Sequence, residues 1–247
     1  MKCPKCGAEQ AAGGIECQRC GVIFEKYHRY HAARAAAETG SGQTGNAATS
    51  RPGLLKAMVS YVEPETNPLV FGGRVLVFLL TAFWGLKFIA AGIEGNAAGQ
   101  SFWHYVNLPF HEAGHVLFRP FGSLLASLGG TVGQLAIPLA CLLVFLVKSR
   151  DTFAASFCLW WFGENLIDIA PYVNDARSLN LPLLGGNTGR TSPYGFHDWQ
   201  FILTETGLID HDHLLAGLAH GTGSLLVLAA LAWGGHVLFR QYRNLSG

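Results

Sequence analysis

Five consecutive residues, His111, Glu112, Ala113, Gly114 and His115, concentrate the chemistry of this chain. On a helix, positions i and i+4 share one face, so two imidazoles at that spacing can reach a single ion while the glutamate at i+1 projects beside it. That arrangement suits zinc-assisted hydrolysis, with an activated water as nucleophile and Glu112 as general base. A catalytic zinc takes a third protein ligand and keeps a fourth position open. An extended motif with a third histidine at position 121 is excluded, because Phe121 stands there. Downstream, Glu164 and Asp168 form a Glu-x-x-x-Asp pair, and Asp175 follows the helix-breaking Pro171 at the end of an apolar stretch. His197 and Asp198 stand in a glycine-rich loop, where they could support the ligands, clamp substrate, or supply an alternative ligand, with Asp198 as cap of a helix beginning at Trp199 the plainer reading. His211, Asp212 and His213 read as solvated residues ahead of the last apolar run.

Four of the six cysteines open the chain as Cys3-Pro-Lys-Cys6-Gly and Cys17-Gln-Arg-Cys20-Gly. Each Cys-x-x-Cys-Gly makes a tight knuckle, and two knuckles complete a tetrahedral thiolate site. A segment this short cannot fold on an apolar core, so metal binding would supply its folding energy. Disulfides are disfavoured because the N-terminus lacks the apolar region of a secretory signal and is expected to stay in the cytosol; zinc is the expected ion, with iron in the same four-thiolate cage the minor alternative. The cysteine segment resembles the rubredoxin-like zinc ribbons found at the start of many prokaryotic membrane proteins. Cys141 and Cys158 lie in apolar runs and read as small core residues.

The elements that must position these residues are apolar helices. Half of the 247 residues are hydrophobic and only 13% are charged, where a soluble domain carries about 25%. Residues 1–66 hold 14 of the 33 charged side chains. With a formal net charge of +1 there is no basic field for nucleic acid. Residues 25–37 have helix propensity, and 38–53 read as a flexible linker. Residues 75–93, 121–147, 152–163 and 214–239 are nearly uncharged and read as membrane helices. The stretch 101–119 has similar length but carries His104, His111, Glu112 and His115, so it should face protein or water. A simple five-span count cannot put every basic cluster on one side, and a re-entrant segment near Gly129-Gly130 would resolve the conflict. The expected fold class is an all-α polytopic membrane protein of about four to six membrane helices, with a zinc ribbon at 1–27, a short helix and linker at 28–66, and a metallopeptidase-like domain at 67–247.

The helix motif, the following Gly-x-x-x-Gln-Leu-Ala (Gly130 to Ala136) and the later Asn165-Leu-Ile…Pro171…Asp175-Ala-Arg177 segment together resemble the site-2 protease family of intramembrane zinc metallopeptidases. The resemblance covers residues 102–177. It implies His111, His115 and Asp175 as zinc ligands and Glu112 as catalytic base. Two departures stand out: Ala176 where the family has Gly, and Asp168 where Pro is common. Glu164 and His197 therefore stay open as alternatives to Asp175. The expected cofactors are one catalytic zinc and one structural zinc on Cys3, Cys6, Cys17 and Cys20. The expected substrate is a membrane-protein segment or peptide, met in the bilayer of a prokaryotic cytoplasmic membrane, with the ribbon in the cytosol beside a protein partner. A non-catalytic metal-binding scaffold and a metal transporter are the alternatives.

Overall fold

The computed structural model describes residues 1–10, 14–39, 54–63, 66–184, 186–191 and 197–245. The sequence-expected linker falls almost wholly outside them. The chain divides into two compact units, Met1–Arg51 and Pro52–Gly247.

The first unit is built from two copies of one knuckle. Cys3 N–H donates to Ala8 O at 2.8 Å and Gly7 N–H to Cys3 O at 2.9 Å; fourteen residues on, Cys17 N–H donates to Val22 O at 2.9 Å and Gly21 N–H to Cys17 O at 2.8 Å. Gly7 (φ 74°) and Gly21 (φ 67°) take the left-handed conformation that closes each turn, which is why glycine follows each Cys-x-x-Cys. Isolated antiparallel bridges, Lys2 with Glu9 and Glu16 with Ile23, finish each copy. Helix α1 (Phe24–Thr39) follows.

The second unit is helical: α2 (Leu54–Val59), α3 (Pro68–Gly95), α4 (Phe102–Phe118), α5 (Ser123–Val144, extended by a π-helical turn to Ser149), α6 (Thr152–Asn174), α7 (Asp198–Glu205) and α8 (Asp212–Leu245). Three stretches, Pro68–Gly95, Ser123–Ser149 and Ile209–Leu245, are long and apolar enough to cross a bilayer. Their outward side chains are large and unburied, among them Leu76 at 59%, Phe83 at 61% and Leu225 at 71% exposure. A water-facing surface does not carry apolar cover on that scale.

Helix α6 is the central element, and most of its side chains are buried. It meets α8 through glycines: a Cβ on Gly163 would lie 2.9 Å from Gly223 O, and one on Gly223 2.6 Å from Gly163 O. Small residues let these backbones approach, and Val227, Ala230 and Val237 fill the rest of the seam. α4 and α5 use the same device. A Cβ on Gly114 would stand 2.0 Å from Gly129 O, and one on Gly133 2.5 Å from Phe110 O.

The chain reverses elsewhere than the sequence suggests. Gly129-Gly130 lies inside a continuous α5, whereas Gly92 (φ 65°, ψ −172°) breaks α3 and the turns at 96–101 lead into α4. Pro171, expected to end its helix, is carried within α6, which continues to Asn174.

Candidate metal centres

In the first unit, the sulfurs of Cys3, Cys6, Cys17 and Cys20 lie within 4.8 Å of one another and could hold an ion. Burial raises the Cys3 thiol, yet the N–H groups of Cys6 and Lys5 bring it down to about 6. At Cys20 the Val22 N–H lowers the thiol, but burial and the three neighbouring sulfurs outweigh it and push it up to about 11. Sulfurs this close cannot all ionise without a cation, and a divalent ion removes that conflict.

The second centre begins with α4. Ser101 caps the helix by accepting the Trp103 N–H at 3.1 Å, and the helix carries His111 and His115 on one face with ring centroids 4.7 Å apart. Each ring is oriented through Nδ1. His115 Nδ1 lies 2.8 Å from Ala126 O, and a carbonyl only accepts, so Nδ1 carries the hydrogen. His111 Nδ1 lies 3.1 Å from Gln134 Oε1. The Gln134 amide is fixed in turn because its NH2 donates to Asp168 Oδ2 at 3.0 Å, leaving only its oxygen for His111. Both Nε2 lone pairs are thereby free to bind a metal.

Those two Nε2 atoms lie close against Gly130. A Cβ there would lie 2.5 Å from His111 Nε2 and 2.7 Å from His115 Nε2. Asp198 closes the third side, with Oδ2 3.5 Å from His111 Nε2 and 3.4 Å from His115 Nε2. Ligands about 2.0–2.1 Å from a tetrahedral zinc are about 3.3–3.4 Å apart, close to the two separations between Asp198 and the imidazoles. Glu112 is exposed beside the two imidazoles and belongs to the same potential ion-binding group.

The carboxylate beside the imidazoles is Asp198, whereas the sequence pointed to Asp175. Asp175 is engaged elsewhere: it accepts from the backbone N–H groups of Asn180 and Leu181, each at 2.9 Å, and from the Ser178 hydroxyl. It shapes the loop after α6 and lies 3.5 Å from His197 Nε2. His197, not Asp198, caps α7, accepting the Gln200 N–H at 3.1 Å. Asp198 is then free to face the imidazoles. Its N–H donates to the Tyr172 hydroxyl at 3.0 Å, and that hydroxyl lies 3.3 Å from Oδ2. Asp175 and His197 thus help to seat the residue that reaches the site.

Glu164 and Asp168 point into the α4–α6 seam. Glu164 accepts from Asn107 at 2.9 Å, and Asp168 faces His104 at 3.0 Å as well as Gln134. Asp212 is buried and bound to Arg177 at 2.6 and 2.9 Å. The sequence reading passed over Asn107, Tyr172 and the close approach at Gly130. An amide within an apolar helix was the available signal for Asn107, since such a group is costly unless partnered. No family model, curated protein or solved structure matches the chain.

Proposed function

We propose that this chain is an integral membrane zinc metallopeptidase. The observation that carries the reading is the convergence of His111 Nε2, His115 Nε2 and Asp198 Oδ2 over Gly130, with Glu112 alongside. The likeness of its motifs to the site-2 protease family supports the same conclusion, with Asp198 taking the place that family gives to an aspartate corresponding to Asp175.

In this reading α3, α5, α6 and α8 cross the bilayer. α6 qualifies by length, about 34 Å at 1.5 Å per residue, and keeps Glu164 and Asp168 turned toward protein. α4 lies against α5 within the bundle. Zinc held by His111, His115 and Asp198 would supply Lewis acidity, making water a nucleophile near neutral pH and polarising a peptide carbonyl. Glu112 takes the proton of the attacking water and delivers it to the departing amine. Gln134 and the Ala126 carbonyl hold the rings in the tautomer that binds metal, and Tyr172 holds Asp198. The substrate is a peptide segment locally unwound at the membrane, because an intact helix keeps its carbonyls in hydrogen bonds. The cysteine ribbon carries a structural zinc in the cytosol and offers a surface for a protein partner.

Glu112→Gln tests the reading. It should abolish peptide-bond hydrolysis by the purified chain and leave the zinc content unchanged. Hydrolysis that survives this substitution would remove Glu112, and the mechanism with it.

A further inference from the structure

At one end of the helical unit the start of α3, the end of α5, the start of α6 and the end of α8 surround a polar cavity of about 170 Å³, lined by Glu63, Arg74, Ser149, Arg150, Asp151 and Gln241. Residues 60–63 are pinned there through their carbonyls: Arg240 donates to Ser60 O at 2.9 Å, Thr152 to Tyr61 O at 2.7 Å and Asn244 to Glu63 O at 2.9 Å. The apolar stretches Pro68–Gly95, Ser123–Ser149 and Ile209–Leu245 begin or finish at this end. Where they cross a bilayer, the cavity sits at the depth of the lipid head groups.

Some of its polar groups are committed and others are not. Asp151 Oδ1 accepts the N–H groups of Phe153 and Ala154, and Oδ2 binds Arg74 at 2.8 Å. Arg150 and the Glu63 carboxylate line the same cavity, yet no ion pair joins them to each other or to another described residue. Gln241 is only 2% exposed, and its Oε1 is buried without a hydrogen-bond partner. An acceptor buried unpaired is costly, and a donor entering the cavity removes that cost.

An unpaired cation, an unpaired anion and a buried acceptor together suit a zwitterion. A phosphate would meet Arg150 and the Ser149 hydroxyl, and a primary ammonium would meet Glu63 and Gln241 Oε1. A quaternary ammonium has no N–H to give that oxygen. The volume falls below the roughly 300 Å³ at which sites for whole ligands begin, so the cavity takes a head group with the rest of its molecule outside. The same helix ends carry Leu69, Val70, Val147 and Phe239, apolar and 47–85% exposed, as cover for acyl chains.

We propose that this cavity binds the phosphoethanolamine head of a membrane lipid. The lipid bridges Glu63, ahead of α3, and Arg150, in the turn between α5 and α6. The site stands about 28 Å along α5 from Gly130, at 1.5 Å per residue. The proposal draws on the bilayer placement and not on the hydrolase chemistry.

Native mass spectrometry of the full chain, delipidated in detergent, tests it with dioctanoyl phosphatidylethanolamine as the probe. One lipid per chain should bind ahead of any others, about tenfold more tightly than dioctanoyl phosphatidylcholine, which lacks the ammonium N–H groups. Arg150→Gln and Glu63→Gln change exposed residues, so both variants should keep the helical content of the parent. Each should weaken the lipid about tenfold, and Glu63→Gln should also narrow the preference over phosphatidylcholine. Equal affinity for the two lipids, adducts that accumulate with no tight first one, or full binding by either variant would overturn the proposal. Glycerophosphoethanolamine or inorganic phosphate competing as well as the lipid would also overturn it, because the occupant would then be a soluble phosphate. No readout here needs turnover, so loss of the lipid site would leave the hydrolase reading standing, and hydrolysis by Glu112→Gln would leave the lipid site standing.

Discussion

Gly130→Ala separates the ion site from the fold that carries it. The new methyl would stand 2.5 Å from His111 Nε2, 2.6 Å from His115 Cε1 and 2.7 Å from His115 Nε2. Ordinary contact begins at 3.4 Å, so the rings must retreat by 0.7 to 0.9 Å. A zinc site tolerates ligand displacements of about 0.2 Å, several times less than that. The fold has more latitude. The clash is with two partly exposed side chains, with 13% and 23% of their area open, so overpacking costs about 1–3 kcal/mol at most and is offset by about 1 kcal/mol from replacing a helical glycine with alanine. The variant should keep its helical content and melt within a few degrees of the parent. Elemental analysis of the purified full chain should then fall from two zinc ions to one, the ion that remains being that of the ribbon. Two ions retained in Gly130→Ala would refute the placement of the ion between these imidazoles.

Other substitutions probe the remaining contacts. Asp198→Asn should lose the helix-borne zinc, while Asp175→Asn should weaken it only indirectly; elemental analysis showing the reverse order would return Asp175 to the role of ligand. Gln134→Leu frees the Nδ1 hydrogen of His111 and should reduce zinc affinity about 10–100-fold, measured by chelator competition, with the His115 contact intact. Acid should strip the ribbon, because thiols must be deprotonated to bind. Apparent affinity should decline as pH falls below the Cys20 value of about 11 and decline more steeply below the Cys3 value of about 6, where that sulfur protonates too. An affinity flat across that range would argue against thiolate ligation.

What could be read in the sequence was whatever depended on spacing along one element. His111 and His115 share a face because any helix places i and i+4 together, and the paired Cys-x-x-Cys-Gly knuckles close through local hydrogen bonds at Gly7 and Gly21. The apolar runs foretold α3, α5 and α8. Asp198 was harder to assign because it reaches the site through the seating of short α7, held by Tyr172 and by a loop that Asp175 organises. The Gly129-Gly130 pair looked like a break, yet here glycine serves close approach: Gly129 admits the α4 backbone and Gly130 leaves room beside the imidazoles. Pro171 looked like a stop. Helices buried among neighbours can carry such residues, because other groups satisfy the freed backbone.

The measurement that bears most directly on the account is X-ray absorption at the zinc edge of the full chain carrying Cys17→Ser and Cys20→Ser. The account predicts a remaining zinc with nitrogen and oxygen ligands at about 2.0–2.1 Å, an imidazole scattering pattern and no sulfur near 2.3 Å. Absence of zinc from this protein, or a shell dominated by sulfur, would contradict a centre built on His111, His115 and Asp198.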